Sequence, residues 1–159
     1  MFIKLRSKSF LSMRVNPIGI IHSPFKRRED TPIQPCRSTA IGEVEVFKKY
    51  QEGLEDIEGF SHVILIYRFH MSKGYCLKVK PFLDDQLRGV FATRAPRRPN
   101  QTGISVLRLL KRKENILTVK GIDVLDGTPL LDIKPYVPDF EPDEKITIGW
   151  LEGKIIRNR

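Results

Sequence analysis

The chain has 159 residues, 40% of them hydrophobic and 30% charged, which fits one globular domain with a sizeable core. Its formal net charge is +9, and no apolar run approaches the roughly 20 residues that a membrane-spanning helix needs. These values exclude a disordered chain and a helical membrane protein, and the basic balance favours a polyanionic partner.

In chain order, the first fourteen residues, MFIKLRSKSFLSMR, carry four basic residues and no acid. Their apolar part is too broken for a secretory signal, so residues 1–14 read as a basic tail, disordered or helping to grip RNA, ahead of a single domain over 15–159. Helical periodicity is scarce beyond this point, whereas period-two alternation and short apolar runs recur. GEVEVF sets Val44 and Val46 between Glu43 and Glu45, as a half-buried strand does. YQEGLEDI, residues 50–57, suits one or two turns of helix. HVILIYRF is a continuous apolar run, the pattern of a strand covered on both faces. YCLKV alternates, with Tyr75, Leu77 and Val79 on one side, and FATR ends a further strand at Arg94. ISVLRLL, KRKEN and ILTVKGI read as a hairpin with a polar turn, and PLLDIKPY and KITIGWLEGKI as the last strands. PYVPDFEPDE, Pro-rich and acidic, reads as a long ordered loop. Many short strands separated by Pro and Gly predict an all-β fold, a small antiparallel β-barrel with long loops and little helix, because closure removes exposed edges.

The charge is unevenly spread. Residues 88–120 hold nine Lys/Arg and one acid, Glu114, while residues 121–145 hold seven acids against Lys134 and Lys145. Two cysteines, Cys36 and Cys76, are too few for a disulfide framework or a zinc site and read as ordinary thiols of a reducing cytoplasm. His22, His62 and His70 lack ligand spacing, so no metal is expected. A Gly-rich strand-to-helix turn and a Walker-type loop are both missing, which argues against the common nucleotide-binding folds.

Three stretches stand out chemically. GVFATRAPRRPNQTG, residues 89–103, sets Arg94, Arg97 and Arg98 among Pro96 and Pro99. Proline restricts its own backbone and that of the residue before it, and guanidinium forks suit carboxylates and phosphates. The loop is therefore either a preorganised anion site or a shaped turn with solvated arginines. DVLDGTPLLDIKPY contains Asp-Gly-Thr-Pro, a turn signal that also offers the Asp126 carboxylate, backbone amides and the Thr128 hydroxyl to a ribose or an ammonium group. TPIQP places Gln34 between rigid positions, as a reader of a base or amide or as a solvated loop residue. Tyr67, Phe69 and Phe91 suit either a base-stacking platform or the core.

IGIIHSPF, TPIQP, GFSHVILIYRFH, GVFATRAPRRPNQTGISVLRL and DVLDGTPLLDIKPY occur in this order, and the series resembles the TsaA-like family, typified by TrmO-type tRNA methyltransferases, over about residues 15–155. The resemblance implies a small β-barrel that works as a homodimer and binds S-adenosyl-L-methionine. It implies methylation of N6-threonylcarbamoyladenosine at position 37 of certain tRNAs. The family's cofactor contacts fall here on Pro32, Ile33 and Gln34, on His70 and Met71, on Arg94 and Ile104, and on Leu125, Asp126, Gly127 and Thr128. Ile33 stands where the family's first loop often has arginine, and the chain ends close to the barrel where bacterial members commonly continue into another domain.

A methyl group on a sulfonium centre is already activated, so the reaction needs alignment and the removal of one proton. Arg94 and Asp126 are the catalytic candidates. Arg94 would orient the cofactor or polarise the modified base, and Asp126 would hold the cofactor or take the proton if its surroundings raised its pKa. Arg97, Arg98, Lys111, Arg112 and Lys113 would grip the tRNA. Two other readings stay open: a non-catalytic RNA-binding barrel, and a barrel that binds the methyl donor but acts on another small substrate.

Overall fold

The structure, a computed structural model, describes residues 14–32, 38–140, 144 and 146–155. Residues 1–13 of the basic tail expected over 1–14, together with Ile33, Gln34 and Cys36, lie outside the described residues. Among the described residues eight strands follow in chain order: β1 (Gly19–His22), β2 (Ile41–Val46), β3 (His62–Arg68), β4 (Lys78–Val79), β5 (Arg88–Gly89), β6 (Thr102–Lys113), β7 (Ile116–Lys120) and β8 (Thr128–Pro135). Six of them close into an antiparallel barrel in the order β1-β2-β7-β6-β3-β8, and β4 and β5 form a short separate ribbon.

The period-two pattern produces this wall directly, because alternate side chains point to opposite faces of a strand. Ile21, Val44, Val46, Val63, Leu65, Leu107, Leu117, Val119 and Leu130 all point inward at 2% exposure or less. Leu54, from a 3-10 segment over Lys48–Leu54, packs against this core, as do Ile122 and Val124 from the segment after β7. The chain closes tightly where a side chain would obstruct it. A Cβ on Gly19 would stand 2.2 Å from the backbone oxygen of Glu45, so only glycine lets β1 approach β2 there.

The strand expected over GEVEVF is β2, that over HVILIYRF is β3, and that over PLLDIKPY is β8. Four local expectations change. YCLKV yields only Lys78–Val79, leaving Tyr75 and Leu77 exposed, because alternation without a partner strand makes no ladder. FATR does not end a strand: Val90–Ala92 is a 3-10 turn. The KRKEN turn shrinks to Glu114 and Asn115, since β6 runs on to Lys113, Glu114 takes a positive φ of 52° and the Asn115 amide donates to the Val46 carbonyl at 2.7 Å. KITIGWLEGKI forms no strand among its described residues, but a 3-10 turn at Gly149–Leu151 whose Trp150 indole donates to the Ala92 carbonyl at 2.8 Å. The helix expected over 50–57 is present as 3-10 turns at Lys48–Leu54 and Ile57–Gly59.

Register places the loops. Arg68 pairs with Thr102, Ile41 with Lys120, and Ile21 with Thr128. The ends of β1, β3 and β7 and the starts of β2, β6 and β8 therefore share one mouth of the barrel.

Candidate functional site

Nearly every candidate cofactor residue lies on the loops around that mouth. His70 and Met71 follow β3, Arg94 precedes β6, Leu125–Thr128 lead into β8, and Pro32 lies in the connection from β1 to β2. Residues up to 96 positions apart are thus gathered by strand pairing rather than by sequence proximity (Pro32 to Thr128). Thr128 is buried, donates its hydroxyl to the Leu125 carbonyl at 2.7 Å and lies 3.4 Å from Nδ1 of His70. Partial burial lowers the His70 pKa, so the ring is neutral at pH 7. Met71 is 67% exposed beside it and offers an apolar surface to a ligand.

The Asp126 turn differs from expectation in one respect. Its backbone amides are not available as donors, because Asp126 N–H bonds the Phe25 carbonyl at 2.8 Å and Gly127 N–H bonds that of Ile21 at 3.0 Å. Gly127 supplies the positive φ of 73° the turn requires. The Asp126 carboxylate is held by the Lys26 ammonium and by the Ser23 amide, with His22 Nδ1 4.0 Å away. These partners, Lys26 foremost, hold the Asp126 carboxyl below the usual range. Asp126 is therefore an ionised, paired group suited to holding a ligand, and the conditional role as proton acceptor loses its physical basis.

The Arg94 loop is stiffened by hydrogen bonds as well as prolines. Ser72 donates to the Pro96 carbonyl at 3.2 Å, Cys76 N–H to the Arg97 carbonyl at 3.1 Å, and the Arg98 guanidinium to the Thr93 carbonyl at 3.0 Å while it lies over the Phe91 ring. Behind the loop, Asp84 is gripped by Arg88 and Lys154, each at 2.7 Å, and Trp150 lies against both cations. The hydrogen bond from Lys154, followed by those from Arg88 and the Gln86 amide, holds the Asp84 carboxyl far below its ordinary pKa.

One group at the mouth escaped the sequence reading. Asp123 lies between the buried Ile122 and Val124, and its Oδ1 accepts a hydrogen bond from Ser105 Oγ at 2.7 Å. Ser105 Oγ also meets the Tyr67 hydroxyl at 3.0 Å, so the chain Tyr67–Ser105–Asp123 crosses from β3 over β6 to the segment after β7. Burial pushes the Asp123 carboxyl up to about 6, against the opposing pull of the Ser105 hydrogen bond, its own amide and the Arg94 charge. Burial first, then the Asp123 charge, raises the Tyr67 phenol as well. Sequence alone showed Asp123 as one more acid beside a turn; only the fold buries it.

Other candidates disperse. Ile104 points outward from the wall at 46% exposure, beside Val106 on β6 and opposite Ile66 on β3. Lys111, Arg112 and Lys113 lie at the far end of β6, roughly 30–36 Å along the strand from the mouth at about 3.3 Å per residue. Arg112 is also occupied, donating to the Glu114 and Leu54 carbonyls at 2.9 and 3.0 Å and to Glu58 at 3.1 Å. Tyr67 and Phe69 pack edge to face in or against the core, and only Phe91 is exposed, so the three do not form a stacking platform.

The donor set of the mouth fits S-adenosyl-L-methionine. That ligand carries an ammonium group, a carboxylate, a sulfonium and a nucleoside. An ionised acid at Asp126, a guanidinium at Arg94, a neutral imidazole at His70 and an exposed thioether at Met71 match those groups in kind.

Residues 20–142 match the family described as the tRNA-methyltransferase O N-terminal domain. A probable S-adenosyl-L-methionine-binding protein of Pyrococcus abyssi is 59% identical over 140 residues, covering 87% of this chain and 76% of the relative. The mouse tRNA (adenine(37)-N6)-methyltransferase is 34% identical over 145 residues, which span 86% of this chain and 34% of the mouse protein. A crystal structure of TrmO from Pseudomonas aeruginosa superposes with a TM-score of 0.71 at 39% identity, covering 87% of this chain and 62% of that one.

Proposed function

This chain belongs to the tRNA-methyltransferase O N-terminal domain family, and from that premise we propose that it is an S-adenosyl-L-methionine-dependent tRNA methyltransferase that methylates N6 of threonylcarbamoyladenosine at position 37. The observation that carries the reading is the convergence, at one barrel mouth, of an acid, a guanidinium, a neutral imidazole and an exposed thioether from three separate connections. When bound, the methyl donor supplies an electrophilic methyl group on sulfur. The residues of the chain supply the rest. Asp126 holds the donor's ammonium or ribose, Arg94 its carboxylate or the carbonyl of the modified base, and His70, Met71, Leu125, Gly127 and Thr128 line its nucleoside. The family resemblance adds Pro32, Ile33 and Gln34, which stand in sequence between β1 and β2, to this set. Arg97 and Arg98 lie on the same side and meet the RNA backbone, whereas Lys111 and Lys113 reach phosphates far from the reacting base.

The chain works as a homodimer in the cytoplasm. Ile104, Val106 and Leu110 leave the outer face of β6 46%, 39% and 44% exposed beside Ile64 and Ile66 of β3, an apolar surface that a second copy would cover. Ile104 reaches a ligand only through such a partner, since it points away from its own barrel.

Calorimetric titration of the purified chain with S-adenosyl-L-methionine, beside Arg94→Ala, tests the donor site. Saturable binding that the variant weakens at least tenfold is expected. Methyl transfer to tRNA lacking this methylation tests the substrate, and absence of donor binding to folded dimeric protein would overturn the assignment. Sedimentation of Val106→Glu should give monomer where the wild type gives dimer.

A further inference from the structure

The target nitrogen lies between a purine ring and a carbonyl, so its lone pair is delocalised and it attacks poorly while it keeps its proton. A nearby group must take that proton. Asp126 is ill placed for this, because its carboxylate is already committed to Lys26 and Ser23. Glu45 is committed to His22 at 2.9 Å. Asp123 differs from both. It is partly buried at the mouth, no described cation stands within salt-bridge distance of it, and the only side chain among the described residues that bonds it is Ser105.

Resting on the methyltransferase reading, we propose that the Asp123 carboxylate accepts the proton that the target nitrogen loses during methyl transfer, with Ser105 and Tyr67 as positioning residues. The step balances. The N–H proton passes to a carboxylate oxygen of Asp123, the nitrogen pair forms the new C–N bond, and the C–S bonding pair leaves with the neutral thioether product. Asp123, now a neutral acid, returns its proton to water at the mouth. Ser105, donating to Oδ1, fixes which way the carboxyl plane faces, and Tyr67 fixes Ser105 from the barrel interior. Among the described residues, the charged and titratable groups that face Asp123 are Arg94, from the loop before β6, and Tyr67, on β3. Arg94 favours the carboxylate form, whereas burial favours the acid, so the group titrates close to the pH at which a base works best.

The test uses the full chain, S-adenosyl-L-methionine and unmethylated tRNA, with three proteins side by side: wild type, Asp123→Asn and Ser105→Ala. Asp123→Asn should lower kcat by about 100-fold or more while its calorimetric affinity for the donor stays within about threefold of wild type. Ser105→Ala removes a hydrogen bond that favours the carboxylate, so the acidic limb of its kcat profile should move to higher pH, and a carboxyl NMR titration should show Asp123 moving the same way without any turnover. An Asp123→Asn enzyme that keeps more than about a tenth of its activity, or that loses donor affinity in proportion to rate, would overturn the proposal. So would an unmoved acidic limb and an unmoved carboxyl titration in Ser105→Ala. Wild-type protein that binds the donor but methylates no tRNA would instead overturn the underlying reading, and the proposal with it.

Discussion

Replacing Asp123 with Asn should make the protein more stable at pH 8 and leave it no more stable at pH 4. The Asp123 carboxyl is raised from 3.8 to about 6 chiefly by burial. A shift of about two units corresponds to roughly 3 kcal/mol of penalty on the charged form, and partial access to water reduces this to about 1–3 kcal/mol. The sign follows from proton counting. Between pH 3.8 and 6 the unfolded chain gives up this proton before the folded chain does, so the folded state loses stability as pH rises through that window and carries the full penalty above it. Asn keeps an oxygen to accept from Ser105 and removes the charge. For a chain of this size the gain should raise Tm by roughly 2–10 °C at pH 8, shrinking towards zero below pH 4. Thermal unfolding of both proteins from pH 4 to pH 8, followed by circular dichroism, measures it. A variant that is destabilised equally at every pH would refute the reasoning, because it would mean that Asp123 contributes through packing and hydrogen bonding rather than as a buried charge. A gain in stability beside a loss of turnover is the trade expected of a strained functional group.

The other predictions concern the loops that build the mouth and the far end of the barrel. In Gly103→Ala the new Cβ would stand 2.3 Å from the Tyr67 ring, so urea unfolding should show a loss of about 1–3 kcal/mol, with the Tyr67–Ser105 hydrogen bond displaced. Arg112→Ala should cost about 1–3 kcal/mol by stranding the Leu54 carbonyl, while Lys111→Ala with Lys113→Ala should leave stability within about 0.5 kcal/mol and reduce the salt dependence of tRNA binding. Trp150→Phe deletes the hydrogen bond to Ala92 and should cost about 1 kcal/mol while speeding hydrogen exchange in the Arg94 loop; unchanged exchange would show that the 149–155 segment does not support it.

Much of this protein was legible before any tertiary information. Alternating Val44 and Val46 fixed the inward face of β2, and the apolar run over residues 62–68 marked β3, because a strand's period of two is a local property. Asp-Gly-Thr-Pro announced its turn, since Gly127 alone tolerates the positive φ found there. The Ala-Thr-Arg and Asp-Ile-Lys-Pro-Tyr stretches carried the family resemblance. YCLKV and KITIGWLEGKI misled for the same reason that GEVEVF succeeded: alternation states which residues share a face but not whether a partner strand exists. Strand pairing decided that Arg94, His70 and Thr128 meet at one mouth while Lys111–Lys113 lie at the other end of β6. Burial decided the chemistry of the acids. Asp123 and Asp126 stand three residues apart with the same side chain, yet one is pushed up by loss of water and the other held down by Lys26, and no local pattern encodes that difference, because desolvation depends on what the rest of the chain packs around each carboxyl.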